Sequence, residues 1–269
     1  MSGLEGRAYL VTGGGSGIGR ACAQRLAVDG AAVTICGRTA DKLDDAARRI
    51  GEAIAAAGSP GEIGFVTADV TVEDDVAAAV AKAAEPLGRL DGCVANAGGG
   101  GGLAPIARHS ADDFRRVLEL NVVGTFLTFK HVLPRAVAAG GGSLVGVSSI
   151  AGHLTHRFFG AYPAAKAGIE QLVRTAADEY GAEGVRCNAV RPGFVATELM
   201  QAIPRDSPIY ASYVDNTPLG RLGEPEDVAN LVRFLLGDES SWLTGAVIDL
   251  DGGHSLRRGP DYSMFVAPG

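Results

Sequence analysis

The run Ala8-Tyr9-Leu10-Val11 passes without a spacer into Thr12-Gly13-Gly14-Gly15-Ser16-Gly17-Ile18-Gly19, after which Ile18, Ala21, Cys22 and Leu26 recur at helical spacing. A strand that feeds a glycine turn and then a helix leaves a chain few folds to enter. Glycine takes the positive φ of a sharp turn and lets a ligand approach the backbone closely. The free amides and dipole at the helix start attract phosphate. Gly13, Ser16, Gly17, Ile18 and Gly19 are therefore expected to hold the pyrophosphate of a dinucleotide. The spacing is TGxxxGxG rather than GxGxxG, and Arg20 after Gly19, with no GK[ST], excludes a P-loop.

The pattern repeats along the chain. Apolar runs rich in strand formers lie at 8–11, 32–36, 63–68, 90–95, 144–147, 185–190 and 246–250. Between them, helical periodicity occupies 17–29, 41–57, 71–87, 110–133, 162–180 and 224–236, with Pro134 ending or bending the fourth of these helices. Thr71 is expected to cap the helix that follows it. Strict alternation implies an α/β fold, a single doubly wound Rossmann-like domain with a seven-stranded parallel sheet and helices on both faces. That domain is expected to span 1–253, with an insert at about 198–218 that lacks clean periodicity and reads as a lid. Residues 254–269, which contain Gly259, Pro260 and Pro268, read as a C-terminal tail.

Net charge excludes one class of partner. With 24 basic and 31 acidic side chains the chain carries −7, which leaves no electrostatic footprint for nucleic acid. No basic amphipathic stretch suggests a membrane surface. Residues 136–156 lack charge, but Gly140-Gly141-Gly142, the serines and two histidines exclude a spanning helix. Cys22, Cys36, Cys93 and Cys187 stand alone in apolar segments, as reduced thiols do. With no apolar leader in residues 1–7, the expectation is a soluble cytoplasmic protein. His153 and His156 form an H-x-x-H pair without an apparent third ligand, so no metal is expected; solvent-exposed histidines, or side chains lining a pocket, are the simpler readings.

Several further residues carry possible chemistry. Tyr162 and Lys166, four apart, share a helix face. Pro163 beside Tyr162 fits only a first helical turn. A free tyrosine has a pKa of about 10, and a neighbouring lysine favours the phenolate. Alone, the pair would equally suit a packed aromatic and a surface charge. Ser149, thirteen residues upstream, emerges at the end of the 144–147 strand, with Ser148 as its competitor. Arg38 stands where the second strand meets an adenosine ribose, with no carboxylate until Asp41; a guanidinium there suits a 2′-phosphate, or stacks on adenine. Asp69, followed by Val70, is either a loop acid or a partner for the adenine amino group. Asn96-Ala97-Gly98 ends the fourth strand and starts a run of glycines. Asn121 is an amide among apolar neighbours and must find partners.

Together these features resemble the short-chain dehydrogenase/reductase family over residues 4–253. The resemblance rests on the 12–19 turn, Asn96-Ala97-Gly98, Asn121, Ser149, Tyr162-x-x-x-Lys166, and Pro192-Gly193 with Thr197. It implies an NAD(P)-dependent oxidoreductase that interconverts a carbonyl and a secondary alcohol, NADP being preferred over NAD on account of Arg38. Tyr162 would be the acid or base, Ser149 would orient the reacting oxygen, and Lys166 would lower the tyrosine pKa and bind the nicotinamide ribose. Asn121 would hold a water linking Lys166 to solvent. Pro192, Gly193, Val195 and Thr197 would frame the carboxamide. Partners would be a largely apolar small-molecule carbonyl or alcohol and, as in many family members, three further copies of the chain in a homotetramer, whose neighbouring site the tail would reach. A cofactor-binding sensor or scaffold without turnover is the alternative.

Overall fold

The computed structural model describes residues 3–198 and 203–256. Seven strands form one parallel sheet: β1 (Ala8–Thr12), β2 (Ala32–Gly37), β3 (Glu62–Thr67), β4 (Gly92–Ala95), β5 (Gly142–Val147), β6 (Val185–Pro192) and β7 (Val247–Leu250). Their order is β3-β2-β1-β4-β5-β6-β7, so the sequence reverses direction between β1 and β4. Every residue of β1 and β4 is buried, which is why these strands read as unbroken apolar runs. The edge strand β3 mixes exposed and half-buried positions instead, with none fully buried.

One face of the sheet is covered by α1 (Gly17–Val28), α2 (Ala40–Ala57) and α8 (Pro225–Leu236), packed on Tyr9, Val11, Val33, Ile35, Val145 and Val190. The other carries α3 (Glu73–Ala84), α5 (Gly124–Ala138) and α6 (Ala161–Tyr180) over Leu10, Cys36, Cys93, Leu144 and Cys187. The short α4 (Ala111–Leu118) lies against the start of α6 through Val117, Ala161 and Ala165. All four cysteines are buried and free.

The helix expected at 110–133 is present, running without a break from Ala111 to Ala138, but it is not α-helical throughout. Between α4 and α5, Glu119–Val123 forms a π-helical turn that carries Asn121. Pro134 does not end α5, because its ring faces solvent while Val132, Leu133 and Ala136 remain packed. The helix stops four residues later, at Ala138, just before Gly140 and Gly141, both with positive φ. Thr71 does not cap α3: its amide and hydroxyl both donate to Asp69, at 3.0 and 2.8 Å. That helix ends at Ala84, short of Leu87, just before Pro86, which has no amide to extend it.

The insert is not wholly irregular. It holds α7 (Pro208–Asp215), started by the Ser207 hydroxyl, which accepts from the Tyr210 amide. No residue of α7 is fully buried; Tyr210, Tyr213 and Val214, at helical spacing, are half-buried. Leu199 and Met200 of the insert, and residues 257–269 of the tail, lie outside the described residues; His254–Leu256 forms a 3-10 turn. Among the described residues no helix is long and apolar enough to cross a membrane.

Candidate active site

The carboxyl ends of β1, β4, β5 and β6 converge where the strand order reverses, the usual ligand crevice of such sheets. At the end of β1 the glycine turn is braced from β4. Asn96 Nδ2 donates to the carbonyls of Thr12 and Gly13, at 3.0 and 3.3 Å, and Thr12 Oγ1 accepts from the amides of Asn96 and Ala97. Gly13 and Gly17 have positive φ, and a Cβ on Gly19 would overlap the Gly13 carbonyl.

Whether this turn suits a dinucleotide can be judged from what it holds. The Gly17 amide, at the start of α1, donates to Glu198 Oε2 at 3.0 Å, and Arg20 Nη2 donates to Oε1 at 2.6 Å. A carboxylate thus sits where the helix start favours an anion, and the geometry fits a pyrophosphate. Burial pushes the Glu198 carboxyl up, but its own backbone amide, the Arg20 charge and the Gly17 amide outweigh that and hold it below the ordinary value. Thr197 packs against Gly17. Val195 is buried and pairs with Gly223, and the Gly193 amide donates to Leu250. Pro192 closes β6.

Across the switch point, Arg38 lies exposed after β2. The Asp69 carboxyl is held below its usual range by the Thr71 amide and hydroxyl and by the Arg38 charge, against some desolvation. Val70 is buried against Gly124.

Asn121, Ser149, Tyr162 and Lys166 come together from the π turn, the end of β5 and the first turns of α6. Ser149 heads a 3-10 turn, its Oγ accepting from the Ala151 amide at 3.2 Å. Tyr162 is the second residue of α6. Burial raises its phenol above the ordinary value, the Ser149 hydroxyl lowers it, and the Tyr213 phenol raises it. Lys166 Nζ lies 5.5 Å from the Tyr162 ring centroid and donates to the Val147 carbonyl at 2.9 Å. Burial brings this ammonium down to about 8. Asn121 Nδ2 donates to the carbonyls of Gly99 and Val117, at 2.9 and 2.8 Å, and its Oδ1 accepts from the Gly99 amide. Gly98 fits between that Oδ1 and the lysine ammonium, where a Cβ would overlap the first and crowd the second.

Several neighbours carry no sequence motif. Ser148 faces inward and donates to Glu170 at 2.8 Å; Glu170 also accepts two bonds of 2.6 Å from Arg191. Phe194 stacks on Tyr213 with centroids 4.2 Å apart, and Tyr213 leans on His254 at 5.6 Å. A cavity of about 620 Å³ opens beside them, lined by Thr197, Ile203, Tyr210 and Val214 among others. His109 is buried against Gly160, with neither ring nitrogen in a hydrogen bond and Nε2 3.5 Å from Asp113. The visible signals were weak: an acid one turn beyond Lys166, an arginine before Pro192, and aromatic residues in the insert. His153 is exposed, and His156 is half-buried with Nδ1 3.1 Å from the Leu154 carbonyl. Among the described residues no group of three His, Cys, Asp or Glu could hold a metal.

Comparison with known proteins finds chains similar in sequence and in fold. A family model described as enoyl-(acyl carrier protein) reductase matches residues 13–255. The cis-4-hydroxycyclohexanecarboxylate dehydrogenase of Sinomonas cyclohexanicum is 43% identical over 249 residues, 93% of this chain and 96% of that protein. The 2,5-dichloro-2,5-cyclohexadiene-1,4-diol dehydrogenase of Sphingobium indicum is 38% identical over 94% of this chain and 98% of its own. A short-chain type dehydrogenase/reductase from Mycobacterium ulcerans superposes with a TM-score of 0.92 at 45% identity, covering 98% of this chain and 95% of that one.

Proposed function

The chain belongs to the short-chain dehydrogenase/reductase family of NAD(H)- or NADP(H)-using oxidoreductases, and from that premise we propose that it interconverts a secondary alcohol and its ketone with Tyr162 as general acid and base. The observation that carries this reading is the convergence of a partly buried phenol, a hydroxyl and a buried ammonium at the sheet's carboxyl end. A nicotinamide dinucleotide, when bound, supplies or accepts the hydride. In the reducing direction the Tyr162 phenol gives its proton to the carbonyl oxygen, and the Ser149 hydroxyl donates to that oxygen as charge develops on it. Lys166 stabilises the phenolate that remains and holds the nicotinamide ribose. In the oxidising direction the Tyr162 phenolate takes the alcohol proton. Asn121 holds the Gly98–Gly99 backbone against the lysine, and by family resemblance it also seats a water that connects Lys166 to solvent.

Gly13, Ser16, Gly17, Ile18 and Gly19 seat the pyrophosphate; Asn96, Ala97 and Gly98 line the nucleoside; Pro192, Gly193, Val195 and Thr197 frame the carboxamide. Asp69 and Val70 meet the adenine. Arg38 favours NADP through the 2′-phosphate. The substrate is proposed to be an alicyclic alcohol or ketone, because both relatives are named for hydroxylated six-membered rings and aromatic side chains lie near Tyr162: Phe159 against its ring, and Tyr213, itself stacked on Phe194, near its phenol. The working form is proposed to be a cytoplasmic homotetramer; a smaller species in sedimentation velocity would remove that part.

Turnover of a panel of cyclic ketones with NADPH tests the mechanism. Tyr162→Phe should lose about 10²–10⁴-fold in kcat, whereas equal rates would rule out the assigned acid. A protein that only binds cofactor would show no turnover as wild type. Arg38→Ala should weaken NADPH about tenfold or more and leave NADH unchanged; unaltered NADPH affinity would remove the 2′-phosphate contact.

A further inference from the structure

We propose that Glu198 is an intramolecular stand-in for the cofactor's pyrophosphate, held at the start of α1 in the free enzyme and displaced when the dinucleotide seats. The inference rests on the cofactor reading above and goes beyond it, since it assigns Glu198 the setting of cofactor affinity.

The first amides of a helix have no partner within it. In α1 one of these, on Gly17, is satisfied from 181 residues away by a carboxylate oxygen at 3.0 Å. The other oxygen takes the guanidinium of Arg20, one turn further on, at 2.6 Å. Thr197, the preceding residue, packs against Gly17, so the carboxylate is held at its post by a short tether. Two contacts to a tethered anion are therefore lost before a free anion can take the same amide. A carboxylate and a pyrophosphate cannot share it, because like charges at that separation repel. The affinity measured for a dinucleotide is then its intrinsic affinity reduced by the fraction of enzyme in which Glu198 has left. Glutamine keeps the shape and the oxygen that accepts from Gly17, but gives up the charge that Arg20 and the helix dipole hold.

The test is equilibrium titration of the full-length protein with NADPH and NADH, read by nicotinamide fluorescence, with inorganic pyrophosphate as competitor. Glu198→Gln and Glu198→Ala should each lower the Kd for both dinucleotides by roughly three- to tenfold, and pyrophosphate should compete at correspondingly lower concentration. A wild type that binds dinucleotide while both variants bind it equally or more weakly would overturn the proposal and leave the cofactor reading intact. A wild type that binds neither dinucleotide would overturn the cofactor reading, and the proposal with it.

Discussion

Lys166 is the side chain whose surroundings alter its chemistry most usefully. Burial brings its ammonium to about 8 while the Tyr162 phenol is raised above its ordinary value. At neutral pH both groups are protonated, the state that carbonyl reduction needs. As pH rises through 8, Lys166 loses its charge first and no longer stabilises a phenolate. Reductive kcat/KM should therefore be flat below about pH 7.5 and fall about tenfold per unit above pH 8. A profile flat to pH 10 would exclude the lysine from proton transfer. Tyr162, Lys166 and Ser149 were legible in the sequence because they lie within 18 positions and share one helix mouth. Glu198 and His109 were not, since each is defined by what it packs against. Gly17 lies 181 positions from Glu198, and Gly160 lies 51 from His109, distances over which sequence carries no pairing signal.

Among the elements, α6 depends on one buried ion pair for its seating. Glu170, one turn beyond Lys166, receives Arg191 from the end of β6 through two bonds, with side chains 4% and 14% exposed. Ser148, beside the proposed catalytic Ser149, donates to the same carboxylate. Removing one member leaves the other charge buried and only partly compensated, since Arg191 keeps just the half-exposed Asp249 at 3.2 Å. Glu170→Ala should cost about 3 kcal/mol in urea unfolding, whereas a loss under about 0.5 kcal/mol would show the pair to be dispensable. Arg191→Met with Glu170→Leu should recover most of that loss, because no buried lone charge then remains and the half-exposed Asp249 is left to water. The inner strands were legible because a sheet covered on both faces demands largely apolar runs, and the edge strands β3 and β7, which bury no residue fully, because strand formers stand there between helical stretches. The π turn was not: Val117, Leu118, Asn121, Val122 and Thr125 keep helical spacing through it, and one extra residue per turn is invisible to periodicity. Helix α7 was hidden for another reason: its stripe of Tyr210, Tyr213 and Val214 is short, only half-buried, and set in a segment broken by Pro204, Pro208 and Pro218.

The whole molecule carries a liability at alkaline pH that its four buried thiols create. Burial pushes Cys22, Cys36 and Cys187 up to about 12 from an ordinary 9.0, and Cys93 well above its ordinary value. A thiol raised in the native state contributes stability that is complete below the unfolded pKa and is lost as pH climbs past 9. Between pH 9 and 10.5 the unfolded chain sheds four protons that the native protein keeps. Lys166 acts in the opposite sense. Its pKa of about 8 in the native state lies below the ordinary 10.5, so in this window the unfolded chain binds a proton that the native state lacks, and stability rises with pH. The thiols and Lys166 together leave about three excess protons on the native side and a slope approaching about −4 kcal/mol per pH unit, which the phenols of Tyr9, Tyr162 and Tyr213, also raised in the native state, steepen near pH 10. Against a typical stability of roughly 5–15 kcal/mol, that slope alone unfolds the protein within a few units above pH 9. Urea midpoints at pH 8, 9, 10 and 10.5, under reducing conditions, measure it. Cys22→Ala should flatten the fall by about 1.4 kcal/mol per unit, and Lys166→Met should steepen it by the same amount. A stability independent of pH across this range would mean that the thiols titrate alike in both states, and that the sheet does not shield them from water.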